Sequence, residues 1–465
     1  MRRLLPCLIV LIALPAAAED RSLTRVAFAS CADQDRPLPI LDRIVALKPD
    51  LYLAMGDNIY ADLKPEPGLD EVASMKAKYD RLATLPGWQK LVATCPVLAT
   101  WDDHDYGKND QGVDYPHKVE SQRLFCDFFK VPADAPLRSQ KGVYQSKTFG
   151  PPGKRVQVIL LDGRYHRSPL KKAATVLPGT RIRPYLPVTD PAATLLGAEQ
   201  WKWLEEQLKQ PAELRLLVSG IQVISEDHPH EKWMNIPAER DRLYKLIRDT
   251  KAAGVVILSG DRHMAEISLD RKAVGYPLFD VTSSGLNQGS KVWRPAEVNR
   301  HLVAAMPHGD NFGLLTIDWA AEGSPRISMQ VRDADGEVAI RETIPLSLLQ
   351  PGPAVADLPH KPGEGAISPR DALKKVGEKV MIEMTVQGTG QAKNGTRIFL
   401  NSEKDYRSEL NFTVVVNAAA LKGKWAKATP DTFKGKVIRV TGTVSKFRDN
   451  PQVEVNDEGQ IQVVE

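Results

Sequence analysis

The sequence predicts an α/β core over residues 19–350, followed by a small all-β, OB-like barrel over 366–465. Three observations predict this. Seven short apolar runs, each with a buried strand's length and content, end abruptly in polar residues. Helical patterns lie between several of them, and strand–helix alternation means an α/β sheet. After about residue 345 the chain becomes rich in Pro and Gly and then turns to short alternating segments.

The runs follow in order. Residues 25–30 end at Cys31, 50–55 at Gly56-Asp57, and 96–100 at Trp101-Asp102-Asp103-His104-Asp105. Residues 156–161 end at Asp162-Gly163-Arg164, and 214–219 at Gly220-Ile221-Gln222. Residues 254–259 end at Gly260-Asp261-Arg262-His263, and 277–282 at Ser283-Ser284-Gly285. Helices are predicted over 38–47, 199–208 and 237–253, the last with Leu243, Leu246 and Ile247 spaced for one face. Open α/β sheets gather ligands beyond the carboxyl ends of their strands, so seven polar strand ends predict a site. Residues 351–365 read as a linker. Beyond it, strands are predicted over 380–386, 396–400, 411–416, 436–444 and 452–455, with a helix over 418–426 between the third and fourth. Five strands with that insertion suggest the OB-like barrel.

Composition narrows the class. The 465 residues carry a net charge of +4, with 42% hydrophobic and 26% charged residues. These values exclude collagen-like, wholly disordered and polytopic membrane proteins. A charge so near zero argues against a chain built to coat nucleic acid. Met1-Arg2-Arg3, an apolar run over 4–14 and Pro15-Ala16-Ala17-Ala18 read as a signal peptide over 1–18, predicting a secreted or periplasmic protein. The run is short of the roughly 20 residues a spanning helix needs, and no later stretch supplies one. Removal of 1–18 leaves Cys31, Cys95 and Cys126. Cys95 and Cys126 can pair with each other, which leaves Cys31 for other work.

The strand ends also carry chemistry. Asp57, Asp103, Asp261 and His263 are oxygen and imidazole donors at the ends of three separate predicted strands. Hard or borderline cations take such ligands, and a carboxylate can bridge two metals. Cys31 as thiolate and Tyr60 as phenolate add anionic donors suited to a ferric ion. Asp57 and Tyr60, three apart, can face one centre from a single turn. Asp261 and His263, two apart, fall on one side of an extended segment. A metal pair so held lowers the pKa of a bridging water and supplies a nucleophile at neutral pH.

Ser30-Cys31, Gly56-Asp57-Asn58-Ile59-Tyr60, Trp101 to Gly107, Leu161-Asp162-Gly163-Arg164-Tyr165 and Ser259-Gly260-Asp261-Arg262-His263 together resemble the successive motifs of the PhoD-like alkaline phosphatase/phosphodiesterase D family. That family belongs to the calcineurin-like metallophosphoesterases, and the resemblance covers roughly residues 20–345. It implies a four-layer α/β/β/α sandwich, hydrolysis of phosphomonoesters or phosphodiesters, and a dinuclear or trinuclear site with Fe3+ and Ca2+ or another divalent metal. Where the wider superfamily has Gly-Asn-His-Asp/Glu, this chain has Asp102-Asp103-His104-Asp105. The resemblance puts Asp103 at the bridging-metal position and His104 at the acid position, to protonate a leaving alkoxide. For the phosphoester it implies, Arg164 is the leading candidate to grip phosphate oxygens, with Tyr165, Asn287 and Asp162 weaker. It puts Asp261 and His263 at the final two histidine ligands, and Gln222 near the place of another ligand histidine, to bind metal or substrate.

Two regions leave alternatives open. The run 226–231, with His228 and His230, reads as a solvated loop or as part of a substrate loop. Residues 366–465 carry 16 Lys and Arg against 12 Asp and Glu, while 19–365 carry 44 against 46. With Phe399, Tyr406, Trp425 and Phe447, the barrel can bind nucleic acid or another anionic polymer, or dock elsewhere. The competing reading is therefore a metal-stabilised binding protein, or a barrel-guided nuclease or phosphodiesterase. Asn311-Phe312-Gly313 is read as support for the sheet.

Overall fold

A computed structural model of the chain describes residues 21–271, 273–291, 297–351, 365–392, 395–403, 406, 411–447 and 450–464. The expected signal segment 1–18 and nearly all of the expected linker 351–365 lie outside these residues. The chain divides into two compact units after Pro351.

All seven apolar runs are strands. They are β1 (Arg25–Ala29), β2 (Leu51–Met55), β3 (Val97–Thr100), β5 (Val156–Leu160), β8 (Leu214–Ser219), β9 (Val255–Ser259) and β11 (Leu278–Ser283). Further strands are β4 (Gln145–Phe149), the short pair β6 (Lys171–Lys172) and β7 (Tyr185–Leu186), β10 (Ala265–Asp270) and β12 (Leu302–Met306). The unit ends in β13 (Asn311–Asp318), β14 (Arg326–Asp333) and β15 (Val338–Pro345). They build one sheet in the order β15-β14-β13-β1-β2-β3 and a second in the order β12-β10-β11-β9-β8-β5-β4.

In the first sheet β1, β2 and β3 are mutually parallel, and in the second β5, β8, β9 and β11 are. Their carboxyl ends therefore open on common edges, and the two edges meet. Ser30 bridges Ser284 in parallel, with the Ser30 N–H donating to Ser283 O at 3.2 Å. Both faces of β1 and β2 are buried, which is why these strands read as unbroken apolar runs.

One face of the first sheet, through Ala27, Ala29, Tyr52 and Ala54, shares an apolar cluster with Ile40, Leu41, Leu82, Leu91 and Phe125. These come from α1 (Ile40–Ala46), α2 (Glu71–Thr84), α3 (Pro86–Thr94) and α5 (Lys118–Phe128). A one-turn helix, α4 (Asp103–Tyr106), follows β3. The outer helices of the second sheet, α6 (Gly197–Leu208) and α7 (Pro237–Asp249), bury Trp201, Leu204 and Leu208, and Leu243, Tyr244 and Ile247. The architecture is the four-layer α/β/β/α sandwich. Gly313 lies opposite Phe28 across β1 and β13, and a Cβ there would stand 2.1 Å from the phenyl ring.

Cys95 and Cys126 are free, not paired. Each is buried in its own setting, Cys95 at the end of α3 with Sγ 4.0 Å from Leu91 O, and Cys126 within α5 with Sγ 3.7 Å from Leu137 O.

Among its described residues the second unit holds the short α8 (Pro369–Ala372) and seven strands: β16 (Lys379–Thr385), β17 (Gly388–Gln391), β18 (Arg397–Asn401), β19 (Thr413–Asn417), β20 (Val437–Phe447), β21 (Asn450–Val455) and β22 (Ile461–Val463). The pairing path runs β16-β20-β21-β19-β18-β17, with β22 beside β20. Only Val386 and Gln387 separate β16 from β17, so the path begins and ends in consecutive pieces of chain. The helix expected over 418–426 is instead turns and one 3-10 turn, Gly423–Trp425. Gly423 has φ +50° inside that stretch, which stops an α-helix; helix α9 starts later, at Pro430–Phe433.

Candidate metal centre

The turns after β1, β2 and β9 are strained. Cys31 has φ +64°, Asp57 +50°, Asp261 +71° and His263 +53°. These are four of the nine non-glycine residues with positive φ among the described residues. Such backbone is costly for L-residues and collects where function requires a particular side-chain placement.

The strain brings side chains together. Cys31 Sγ lies 3.3 Å from Asp57 Oδ2, and the Tyr60 hydroxyl donates to the same oxygen at 3.3 Å. Tyr60 Oη is 2.9 Å from His263 Nε2. Ser284 Oγ is 3.1 Å from Cys31 Sγ and accepts the His263 N–H at 2.8 Å, tying the two loops. The ligand atoms of Cys31, Asp57 and His263 all fall within 4.8 Å of one another.

Three further groups meet the same spacing: Asp57 with Asp103 and His104, Asp103 with Asp102 and Asp261, and Asp103 with Asp110 and Glu231. Asp57 and Asp103 are thus shared between groups. Asp261 and His263 do not act from one side as an extended segment would place them. The chain bends through positive φ at both, so His263 joins Cys31 and Asp57 while Asp261 joins Asp102 and Asp103.

Asp105 locks the loops after β2 and β3 to each other. Its Oδ1 accepts from Asp102 N at 2.7 Å and Asp57 N at 3.2 Å, and its Oδ2 accepts from Asn58 Nδ2 at 2.5 Å. His104 Nδ1 is 2.6 Å from Asp62 Oδ1, and its ring lies 4.3 Å from that of Tyr60.

The electrostatics are those of crowded acids. Burial, with Cys31 and Asp103 nearby, pushes the Asp57 carboxyl well above its usual range. Burial pushes Asp261 up to about 8 and Cys31 up to about 11. Burial lowers His104, but Asp103, Asp57 and Asp62 outweigh it and carry it up to about 11. Burial would raise Asp103 too; His104 and Arg164 outweigh it and hold that carboxyl down. Buried carboxyls that disfavour one another's charge are a donor set a cation would relieve. The residues fit a metal group.

Arg164 reaches the edge of this cluster, against Asp102, Asp103 and Glu231, but is not an open phosphate grip. It is fully buried, with Nε donating to Asp102 Oδ1 at 2.6 Å and Nη2 2.7 Å from Glu231 Oε2. Arg167 Nη1 takes the other side of Glu231 at 3.0 Å. The remaining candidates lie outside the donor groups. Asp162 accepts from the backbone of Val143, Arg164 and Tyr165, and Tyr165 is buried with its ring 4.7 Å from Lys118 Nζ. Gln222 donates to Glu266 Oε1 at 2.7 Å and Thr282 Oγ1 at 2.9 Å. Asn287 accepts from Asp33 N at 2.7 Å and donates to Asp33 O at 2.8 Å, stapling the loop after Cys31. These polar atoms hold scaffold in place.

Sequence reasoning missed Glu231, Asp62 and Ser284. Glu231 sits in the run that reads as a solvated loop or part of a substrate loop, and is 2% exposed, which excludes the solvated reading for this side chain. Glycine makes the close approach possible. A Cβ on Gly56, where φ is +103°, would stand 2.6 Å from Asp102 Cβ. Gly56→Ala is therefore expected to lower stability by at least about 1–3 kcal/mol, the cost of imposed backbone strain, measured as a shifted denaturant midpoint. An unchanged midpoint would refute the close packing of these loops.

A family model described as PhoD-like phosphatase matches residues 26–276. Alkaline phosphatase D from Bacillus subtilis (strain 168) is 24% identical over 287 residues, covering 54% of this chain and 47% of its own. The chain thus spans about half the length of that curated relative. A solved structure of PhoD aligns with TM-score 0.52 and 17% identity, over 69% of this chain and 72% of its own. GAP50, the anchor in the inner membrane complex of Plasmodium, aligns with TM-score 0.43 and 13% identity, over 70% of this chain and 89% of its own. Among the described residues no helix is long and apolar enough to cross a membrane.

Proposed function

The chain belongs to the PhoD-like phosphatase family, and on that premise we propose that it is a metal-dependent phosphoric ester hydrolase acting on phosphomonoesters, phosphodiesters or both. One observation carries the reading: six donors, Cys31, Asp57, Tyr60, Asp103, Asp261 and His263, project from strand ends where the two sheets meet, in overlapping groups.

The residues divide the work. Cys31, Asp57, Tyr60 and His263 would hold one ion, and thiolate plus phenolate favours Fe3+ there. Asp103 and Asp261, with Asp57 shared, are hard oxygen donors for Ca2+ or another divalent ion, in a site of two or three metals. When bound, such ions supply Lewis acidity and lower the pKa of water. Asp62 holds His104 by Nδ1, leaving Nε2 as the nitrogen to give a proton to the departing alkoxide. Arg164 keeps Asp102 in place, and with it the start of the Asp103 helix.

Export to the periplasm or medium belongs to the same proposal and rests on residues 1–18. For the second unit the strand path, with its parallel β19–β21 pair, supports an OB-like barrel. Exposed Tyr406 and Phe447 favour a second reading in which the barrel binds nucleic acid or another anionic polymer.

Elemental analysis of the purified chain, combined with a screen of aryl phosphate mono- and diesters, tests the reading. Metal-containing protein that turns over at least one class, and loses the activity to a chelator, is the expected result. Metal-free, inactive protein would sink it.

A further inference from the structure

The loop between β8 and α7 carries a second polar cluster, made of His228, His230 and Lys232 with Arg262 alongside. His228 is 3% exposed and Lys232 4%, so neither is a solvated loop residue. The His230 N–H donates to His228 Nδ1 at 3.2 Å, which leaves the proton of the neutral ring on Nε2. That Nε2 is buried with no hydrogen-bond partner among the described residues. Lys232 Nζ donates to two backbone carbonyls, His228 O at 2.6 Å and His230 O at 3.0 Å, and among the described residues it makes no ion pair with a carboxylate. Burial, with Arg262 and Lys232 nearby, holds the His228 imidazole well below its usual range, and burial lowers His230 to about 4, so both rings are neutral.

A buried N–H donor without an acceptor and a buried ammonium without a carboxylate ion pair among the described residues, four residues apart, are half of a recognition site. The missing half is an anion. The cluster adjoins the metal-binding groups through Arg262, whose Nη1 is 3.9 Å from Asp261 Oδ2 and whose Nη2 is held by Glu297 at 2.7 Å. The charges that bear on Lys232 are Arg262, Asp227 and Glu297, not the metal-binding carboxylates.

We propose that His228 Nε2 and Lys232 Nζ, beside Arg262, form a subsite for a non-scissile phosphate, so that the preferred substrates carry a second phosphate group next to the one cleaved. The substrate assignment rests on the phosphoesterase reading; the anion subsite does not.

Calorimetric titration of the full-length, metal-containing protein with methylenediphosphonate and with methylphosphonate separates the two positions. Lys232→Met is expected to weaken the bisphosphonate by about tenfold or more, the worth of one charged hydrogen bond, with methylphosphonate unchanged. Lys232→Arg should recover part of the loss. In the unmutated protein, the bisphosphonate should shift the His228 imidazole 15N resonance and methylphosphonate should not, a readout that needs no substitution. Equal losses for both ligands would overturn the proposal, as would no loss or an unmoved His228 signal. A bisphosphonate preference that depends on Lys232 in a protein without hydrolase activity would retire the phosphoesterase reading and leave the subsite standing.

Discussion

Asp57→Asn is expected to abolish turnover of aryl phosphates and to lower bound metal in the purified protein, with the fold retained. Asp57 is the carboxylate shared between the Cys31–His263 group and the Asp103–His104 group, so its loss weakens both at once. Losing only an indirect support of a metal ligand costs about 10–100-fold, and losing the shared donor should cost at least the upper figure. Asparagine suits the position, because it tolerates the left-handed backbone that Asp57 adopts at φ +50°. It also removes a buried acid that burial, Cys31 and Asp103 disfavour as an anion, so the metal-free fold should lose little stability. Steady-state kinetics, metal analysis and a thermal melt on one preparation make the measurement. Retained activity with full metal content would end the assignment of Asp57 as a ligand.

Glu231→Gln is expected to lower stability far more than Asp57→Asn, although both exchange a buried carboxylate for its isosteric amide. Glu231 joins two buried guanidiniums, with Oε2 2.7 Å from Arg164 Nη2 and Oε1 3.0 Å from Arg167 Nη1. Removing one partner of a buried ion pair leaves uncompensated charge and costs about 3–5 kcal/mol. Arg164 retains Asp102, whereas for Arg167 Glu231 is the one carboxylate ion-pair partner among the described residues. Urea denaturation should show the drop in midpoint. Activity should fall with it, because Arg164 is what braces Asp102 at the head of α4. A midpoint equal to that of the unmutated chain would mean the cluster is solvated after all.

The parts of this molecule legible in its sequence are those whose environment is uniform. Strands β1, β2, β8 and β9 are buried on both faces, so burial prints an unbroken apolar run on the sequence. Helix α2 escaped because its buried side contains Lys78, neutralised by Asp35 at 2.6 Å, which interrupts the apolar stripe. Strand β15 escaped because only alternate residues such as Ile340 and Ile344 turn inward. The helix predicted over 418–426 failed on one glycine, whose left-handed backbone a composition-based reading does not register.

The candidate site follows the same rule. Cys31, Asp57, Tyr60, Asp103, Asp261 and His263 were legible as candidate donors because each lies within five residues of a strand end, and strand ends in parallel sheets converge. Gln222 and Asn287 occupy equally suggestive places, but which way a loop side chain turns depends on what else needs a hydrogen bond. Gln222 turned to Glu266 and Thr282, and Asn287 to the backbone of Asp33.

By itself, then, the sequence determined the α/β core, the order of its buried strands and the donors at their ends, because hydrophobic periodicity and strand-end position are local properties. Only the tertiary structure decided that Asp261 and His263 part company across a bend, that Arg164 is clasped by carboxylates, and that Glu231, His228 and Lys232 are interior groups. Those outcomes depend on long-range ion pairs and on the matching of buried donors to acceptors, in which each partner comes from a distant loop.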